Sequence, residues 1–147
     1  MTRARWHIGA GALALGVALL ASPARAADLT VWIQGMRSSQ GSVRIAIYDD
    51  AAAFQARDVS RAFAAFQSRA TAGRMGITIH DLPAGKYAVA VHHDEDGNGK
   101  MNKGMILPTE GFGFSNGASC FGIPSFQDAS VVVGTENLTV TIEMKYC

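Results

Sequence analysis

The sequence predicts an all-β fold: an antiparallel β-sandwich of about seven strands with one short, partly helical insertion. Three observations predict it. Apolar side chains alternate with other types at a two-residue period along most of the chain, the mark of strands with one buried face. The alternating runs are joined by short turns. No β-helix-β unit repeats, as a parallel sheet would require.

The elements follow in chain order. Arg3 and Arg5 precede an apolar run from Ile8 to Leu20, and Ala24-Arg25-Ala26 places small residues at a cleavage spacing. Residues 1–26 therefore read as a secretory signal peptide cut after Ala26. The run is short for a membrane span and is followed by Pro23, and no cysteine near the cut offers a lipid anchor. The mature product is expected to be periplasmic or secreted, with no stable membrane anchor. It would comprise residues 27–147 as one domain, long enough to bury roughly two-thirds of its unfolded surface.

Leu29 to Met36 reads as the first strand. Val43, Ile45 and Ile47 alternate with Arg44, Ala46 and Tyr48 in the second, which ends at Asp49-Asp50. Ala51 to Phe66, with its alanines, Phe54, Phe63 and Phe66, predicts an insertion containing some helix, and Phe63 to Ala70 is a further strand candidate. Ile77 and Ile79 alternate with Thr78 and His80 before the turn Asp81-Leu82-Pro83-Ala84-Gly85. Tyr87, Val89 and Val91 form the next strand, Ala129 to Val133 another. Leu138, Val140, Ile142, Met144 and Tyr146 give the cleanest alternation of all.

Charge narrows the classes of partner. Removing Arg3, Arg5 and Arg25 leaves 10 of the 13 basic residues against 12 acidic ones, a net charge of −2. That balance, with no run of like charge, argues against nucleic acid and anionic membranes. Cys120 and Cys147 are the two cysteines, and an even count in an exported chain points to a disulfide between them. Closing a loop of this length stabilises a domain by roughly 3 kcal/mol. A metal or redox role would need a Cys-x-x-Cys or neighbouring histidines, and neither is present.

The most informative stretch is His93-Asp94-Glu95-Asp96-Gly97-Asn98-Gly99-Lys100-Met101-Asn102. Numbered from Asp94, oxygen donors fall at positions one, three and five (Asp94, Asp96, Asn98), Gly99 is sixth, the Lys100 carbonyl seventh and Asn102 ninth. This matches the first half of the D-x-[DN]-x-[DN]-G calcium signature, in which glycine allows the turn that points oxygens inward. The second half fails: position twelve is Met105, and the preceding residues read as a strand, so this is not an EF-hand. Calcium is the one cofactor the sequence raises, with Glu110 as a candidate returning carboxylate. The alternative is a turn whose Asp and Asn side chains cap their own amides. His92 and His93 point to opposite faces of a strand and cannot chelate one ion together, whereas His80 and His92 would share a face if their strands were neighbours.

Several catalytic-looking motifs fail on context. Gly113-Phe114-Ser115-Asn116-Gly117 fits G-x-S-x-G, but a nucleophile elbow needs a parallel α/β sheet and a later histidine, and none follows Ser115. Acid pairs such as Asp94 and Asp96, or Glu95 and Glu110, have no reason to flank a cleft. Asn137-Leu138-Thr139 is formally a glycosylation sequon. Phe112, Phe114 and Phe121, set among Gly111, Gly113, Gly117 and Gly122, are expected as buried plugs closing one end of the sandwich, with an apolar binding patch as the alternative.

The strings Asp81-Leu82-Pro83-Ala84-Gly85-Lys86-Tyr87-Ala88-Val89-Ala90-Val91, His93 to Lys100, Pro108 to Asn116 and Pro124 to Ala129 resemble the bacterial domain of unknown function DUF2141. The likeness spans the mature chain. It implies an exported, small β-rich domain, and the Leu-Pro-Ala-Gly-Lys-Tyr turn is similar to those of transthyretin-like and carboxypeptidase-regulatory-like sandwiches, so an Ig-like, transthyretin-like sandwich is expected. No activity is established for the family, so the resemblance carries over no catalytic residues. This chain departs at Asn102, where Asp is typical, at Asp96, where Asn is usual, and at His92, in place of an aromatic.

The function expected is a non-enzymatic binding or interaction module for an unidentified protein or carbohydrate of the cell envelope. Its surface would be Asp94 to Asn102 together with His93, Glu110, Phe112, Phe114, Ser115 and Asn116. The alternative is an enzyme or enzyme accessory acting on envelope carbohydrate or peptide, which would require His93, Glu110 and an Asp to meet within hydrogen-bond reach.

Overall fold

The computed structural model describes residues 25–147. The signal segment expected over 1–26 lies outside the described residues as far as residue 24. Eight strands and two short helices are present among the described residues: β1 (Ala26–Met36), β2 (Ser42–Tyr48), α1 (Ala51–Ala56), β3 (Ala64–Arg69), β4 (Gly73–Pro83), β5 (Gly85–Asp94), β6 (Gly111–Phe114), α2 (Phe126–Ala129), β7 (Ser130–Val133) and β8 (Leu138–Glu143), with a 3-10 turn at Val59–Arg61. They form the expected all-β sandwich. One sheet has the order β4-β1-β8 and the other β3-β2-β5-β6, with β7 also on β5. β2 takes one edge of β5, and β6 and β7 share the other, β6 along Ala90 to His93 and β7 along Gly85 to Ala88.

Alternation builds the core. Leu29, Val31 and Ile33 of β1, Val43, Ile45 and Ile47 of β2, Tyr87, Val89 and Val91 of β5, and Val140 and Ile142 of β8 are buried between the sheets. Burial at this scale contributes roughly 1.5–3 kcal/mol per large side chain. A second apolar cluster covers the outer face of the larger sheet: Ala46, Tyr48, Ala88, Phe112 and Phe114 lie under Ala53 and Phe54 of α1 and Ala129 of α2. This is why the two-residue burial period fades at the end of β2. The insertion after Asp50 is thus partly helical, as expected. Asp50 Oδ2 caps α1 by accepting from the Ala53 amide at 2.8 Å, and Phe54 anchors it edge-on to Tyr48, Phe114 and Phe126.

Three features were not legible in the alternation. β8 runs parallel to β1, pairing Leu29 with Leu138 through Gln34 with Glu143. It arrives from the facing sheet, so no hairpin forces it antiparallel. β4 continues through Asp81-Leu82-Pro83, expected as turn, because Leu82 is buried and pairs with Ala27. β6 is a strand despite two glycines, and packing explains it. A Cβ on Gly111 would lie 2.3 Å from the Tyr146 ring, and one on Gly113 would lie 2.5 Å from Ile142 Cγ2. The glycine face is therefore the close contact with β8 and the tail, while the phenylalanines face outward.

The expectation for the phenylalanines is corrected accordingly. Phe112 and Phe114 are buried, but on the outer face of the larger sheet rather than at an end of the sandwich, and Phe121 is 91% exposed. His80 and His92 do not share a face, because β4 and β5 belong to different sheets. Cys120 and Cys147 form the expected disulfide.

Two outcomes test this packing. Gly113→Ala should lower stability by about 1–3 kcal/mol through overpacking, read as a lower urea midpoint, while Gly122→Ala, whose Cβ meets nothing within 4 Å, should leave it in place. Replacing both cysteines by serine should lower unfolding free energy by about 3 kcal/mol. An unchanged midpoint would show that the crosslink constrains nothing the fold does not already hold.

Candidate functional site at the end of β5

The C-terminal end of β5 alternates sides at every residue. His93 turns inward, is fully buried, and sits in contact with Tyr146 Oη at 2.8 Å through Nδ1 and with the Gln40 carbonyl at 2.8 Å through Nε2. A carbonyl can only accept, so Nε2 carries the proton and Tyr146 Oη donates to Nδ1. His92 and Asp94 turn outward. Cross-strand pairing sets Arg44 beside His92 on one side and Phe112 on the other.

Glu110, the residue before β6, is 3% exposed and ties this region together. Its Oε1 accepts from the Glu95 amide at 3.0 Å, and its Oε2 accepts from the Asn102 amide at 3.1 Å and lies 2.8 Å from His92 Nε2. One carboxylate thus fixes both ends of the loop. Asp94, 1% exposed, accepts through Oδ2 from the Gly99 amide at 2.9 Å and from Arg44 Nη1 at 3.4 Å. Its Oδ1 is buried without any hydrogen-bond partner. His92, Asp94 and Glu110 each present a ligand-type atom within 4.8 Å of the other two.

The donors expected to wrap one ion therefore serve two clusters that meet at Asp94, whose carboxyl also neighbours that of Asp96. Asp94 joins His92 and Glu110. Asp96 accepts from the Asn98 amide at 3.0 Å and from the side-chain amides of Asn98 and Asn102. Asn98 Oδ1 in turn accepts from the Lys100 amide at 2.8 Å. These bonds are the self-capping alternative for the turn. Gly97 and Gly99 have φ of +71° and +76°, and Gly99 folds so closely over Arg44 that a Cβ would lie 2.5 Å from Nη1.

Several residues expected on a binding surface are placed elsewhere, for packing reasons. His93 is in the interior. Ser115 is also buried: its Oγ accepts from the Val89 amide at 2.9 Å and donates to the Ala129 carbonyl. Asn116, at φ +64°, donates to the carbonyls of Asp128 and Ser130 and so clamps the start of β7. An enzyme was expected to join His93, Glu110 and an Asp, but the histidine that meets Glu110 and Asp94 is His92.

What the sequence reading missed is a groove. On the outer face of the larger sheet, register aligns two rows across four strands: Ala65, Ala46, Ala90 and Phe114, and beside them Gln67, Arg44, His92 and Phe112. Three alanines make the first row a trough. With Tyr48, Arg57 and Met101 it encloses a groove of about 610 Å³, whose polar wall is the second row. Small outward residues at alternating positions, Ala46 and Ala90 among them, were the available signal.

Charge pairing steadies the neighbouring loop. Arg37, bonded to Glu95 and lying 4.4 Å over the Tyr146 ring, holds the Glu95 carboxyl below its ordinary value, with Ser38 assisting. Bonds from the Asn102 side chain and the Asn98 amide lower Asp96 in the same way. A carboxyl lowered in the folded state adds stability above its ordinary value and loses it as pH falls through the folded value. The stability contributed by these two carboxyls should accordingly be complete above about pH 5 and decline below it, read as the part of the acid loss of melting midpoint that Arg37→Ala removes. Arg37→Ala should raise the Glu95 titration midpoint, followed by NMR, toward the ordinary 4.5. An unmoved midpoint would show that the ion pair does not form in solution.

Comparison with known families places this architecture. The family model described as "Uncharacterized protein conserved in bacteria (DUF2141)" matches residues 31–141. That span runs from within β1 to within β8 and includes the Asp94 to Asn102 loop and β6. No curated protein and no solved structure matches. The chain belongs to the DUF2141 family.

Proposed function

We propose that this domain is an exported, non-catalytic binding module whose ligand lies in the groove on the outer face of the larger sheet. The observation that carries the reading is the alanine trough. Its floor is apolar, one wall is built of Gln67, Arg44 and His92, and its volume of about 610 Å³ falls within the range of small-ligand sites. A ligand with one apolar face and one hydrogen-bonding edge fits that division, and a short envelope oligosaccharide has this character. Glu110 serves the reading by fixing the loop that carries Met101 and Gly99 to the groove.

Export rests on the basic and apolar N-terminal sequence and gains support from the disulfide, which persists in oxidising compartments. No helix among the described residues is long and apolar enough to cross a membrane. β1 opens at Ala26, so a cut after Ala26 leaves the strand from Ala27 onward intact. A second reading, an enzyme or enzyme accessory acting on envelope carbohydrate or peptide, is favoured by one observation, the 2.8 Å contact of His92 with Glu110 beside Asp94.

The test is an amide-resolved NMR titration of the chain 27–147 with cell-wall oligosaccharides and, separately, short envelope peptides. Shifts should appear at Ala46, Ala65, Ala90 and Met101 with the sugars. Ala65→Trp, which fills the trough from an exposed strand position, should weaken binding at least tenfold without lowering the melting midpoint. Shifts confined to another face, or binding unaffected by Ala65→Trp, overturn the groove. Shifts with peptide alone replace the sugar by peptide in the same seat, and product formation in either mixture decides for the enzyme.

A further inference from the structure

We infer that His92, Asp94 and Glu110 form a binding site for a first-row divalent cation of borderline hardness, Zn2+ being the representative ion. The inference is independent of the groove's ligand. The three side chains are brought together by backbone register, not by a flexible loop. His92 and Asp94 are i and i+2 on the outer face of β5, and Glu110 immediately precedes β6, which pairs with β5 as far as His93. Each offers a nitrogen or oxygen within 4.8 Å of the others, close enough for one ion to bridge at bond lengths near 2.0–2.2 Å.

Two features of the cluster itself point to a cation. Asp94 is 1% exposed, and its Oδ1 is the one buried side-chain polar atom without a partner among the described residues. A buried carboxylate oxygen left unpaired is costly. A second carboxylate, Glu110, is buried next to it, and the nearest permanent cation, Arg44, reaches only Asp94 Oδ2, at 3.4 Å. A divalent ion would satisfy Oδ1 and both charges at once.

The remaining hydrogen bonds act as an orienting frame of the kind that metal ligands require. Asp94 Oδ2 is fixed by the Gly99 amide and Glu110 by the amides of Glu95 and Asn102, while Glu110 Oε2 lies 2.8 Å from His92 Nε2 and Asp94 Oδ1 is left without a partner. One imidazole and two carboxylates form a mixed nitrogen and oxygen set that suits zinc-like ions. Calcium prefers six to eight oxygens, and the nearby Asp96, Asn98 and Asn102 already bond to one another.

The test titrates chelator-treated chain 27–147 with ZnCl2 and, in parallel, CaCl2, followed by calorimetry and thermal melting. Zn2+ should bind at one equivalent and raise the melting midpoint as its concentration increases. His92→Phe keeps a ring of similar size beside Phe112, so it should still fold, with a metal-free midpoint lowered by the lost Glu110 contact, and bind Zn2+ at least tenfold more weakly. Asn98→Ala and His80→Ala should bind as the parent does. Absence of Zn2+ binding, or full binding by His92→Phe, overturns the assignment. Loss of binding in His80→Ala instead places the ion on the exposed His80–Asp28 pair and also overturns it. A midpoint raised by Ca2+ and not by Zn2+, and abolished by Asn98→Ala, assigns the ion to the glycine-rich loop and overturns it as well.

Discussion

The burial of β5 on both faces is the constraint on which the molecule depends. Its inward residues, Tyr87, Val89, Val91 and His93, pack in the sandwich interior, and its outward ones, Ala88 and Ala90, floor the second layer. Both edges are paired as well. Such a strand has no free side on which to slip, because a one-residue shift would exchange its valines and alanines between faces. Whatever lies at its end inherits that rigidity. His92 and Asp94 gain fixed positions because the strand beneath them cannot move, and Glu110 is held against them by pairing of β6 with the same strand.

Much of the fold was legible because burial on one face imprints a two-residue period. β1, β2, β5 and β8 announce themselves in this way, and the disulfide was legible in the even cysteine count. β6 was hidden because its reason for being a strand lies elsewhere in the chain. Gly111 and Gly113 are small to admit Tyr146 and Ile142, residues that sequence proximity does not connect to them. The direction of β8 was hidden for a related cause, since alternation specifies which side chains face inward but not which way a neighbouring strand runs.

The site shows the same division. The Asp94 to Asn102 turn was recognised as structured, and its glycines do adopt left-handed backbone. Its separation into a self-bonded Asp96, Asn98 and Asn102 group and an Asp94 that turns to His92 was not readable, because strand parity at Asp94 depends on where β5 ends. The choice between His92 and His93 turns on that same parity. Ser115 and Asn116 looked like surface polar groups because a hydroxyl and an amide after a glycine-rich run resemble a loop, yet both satisfy backbone groups of α2 and β7.

The parallel pairing of β1 with β8 bears on how the chain reaches its native state. β1 is the middle strand of its sheet, flanked by β4 and β8, so one of its edges stays open until residues 138–143 have arrived. Contacts this distant along the chain close slowly, since loop-closure entropy is lost before the apolar contacts repay it. Until then Leu29, Val31 and Ile33 form an unprotected sticky edge. The smaller sheet is therefore complete only once the last strand of the chain lies beside its first, so its final edge is closed by the part of the sequence furthest from it.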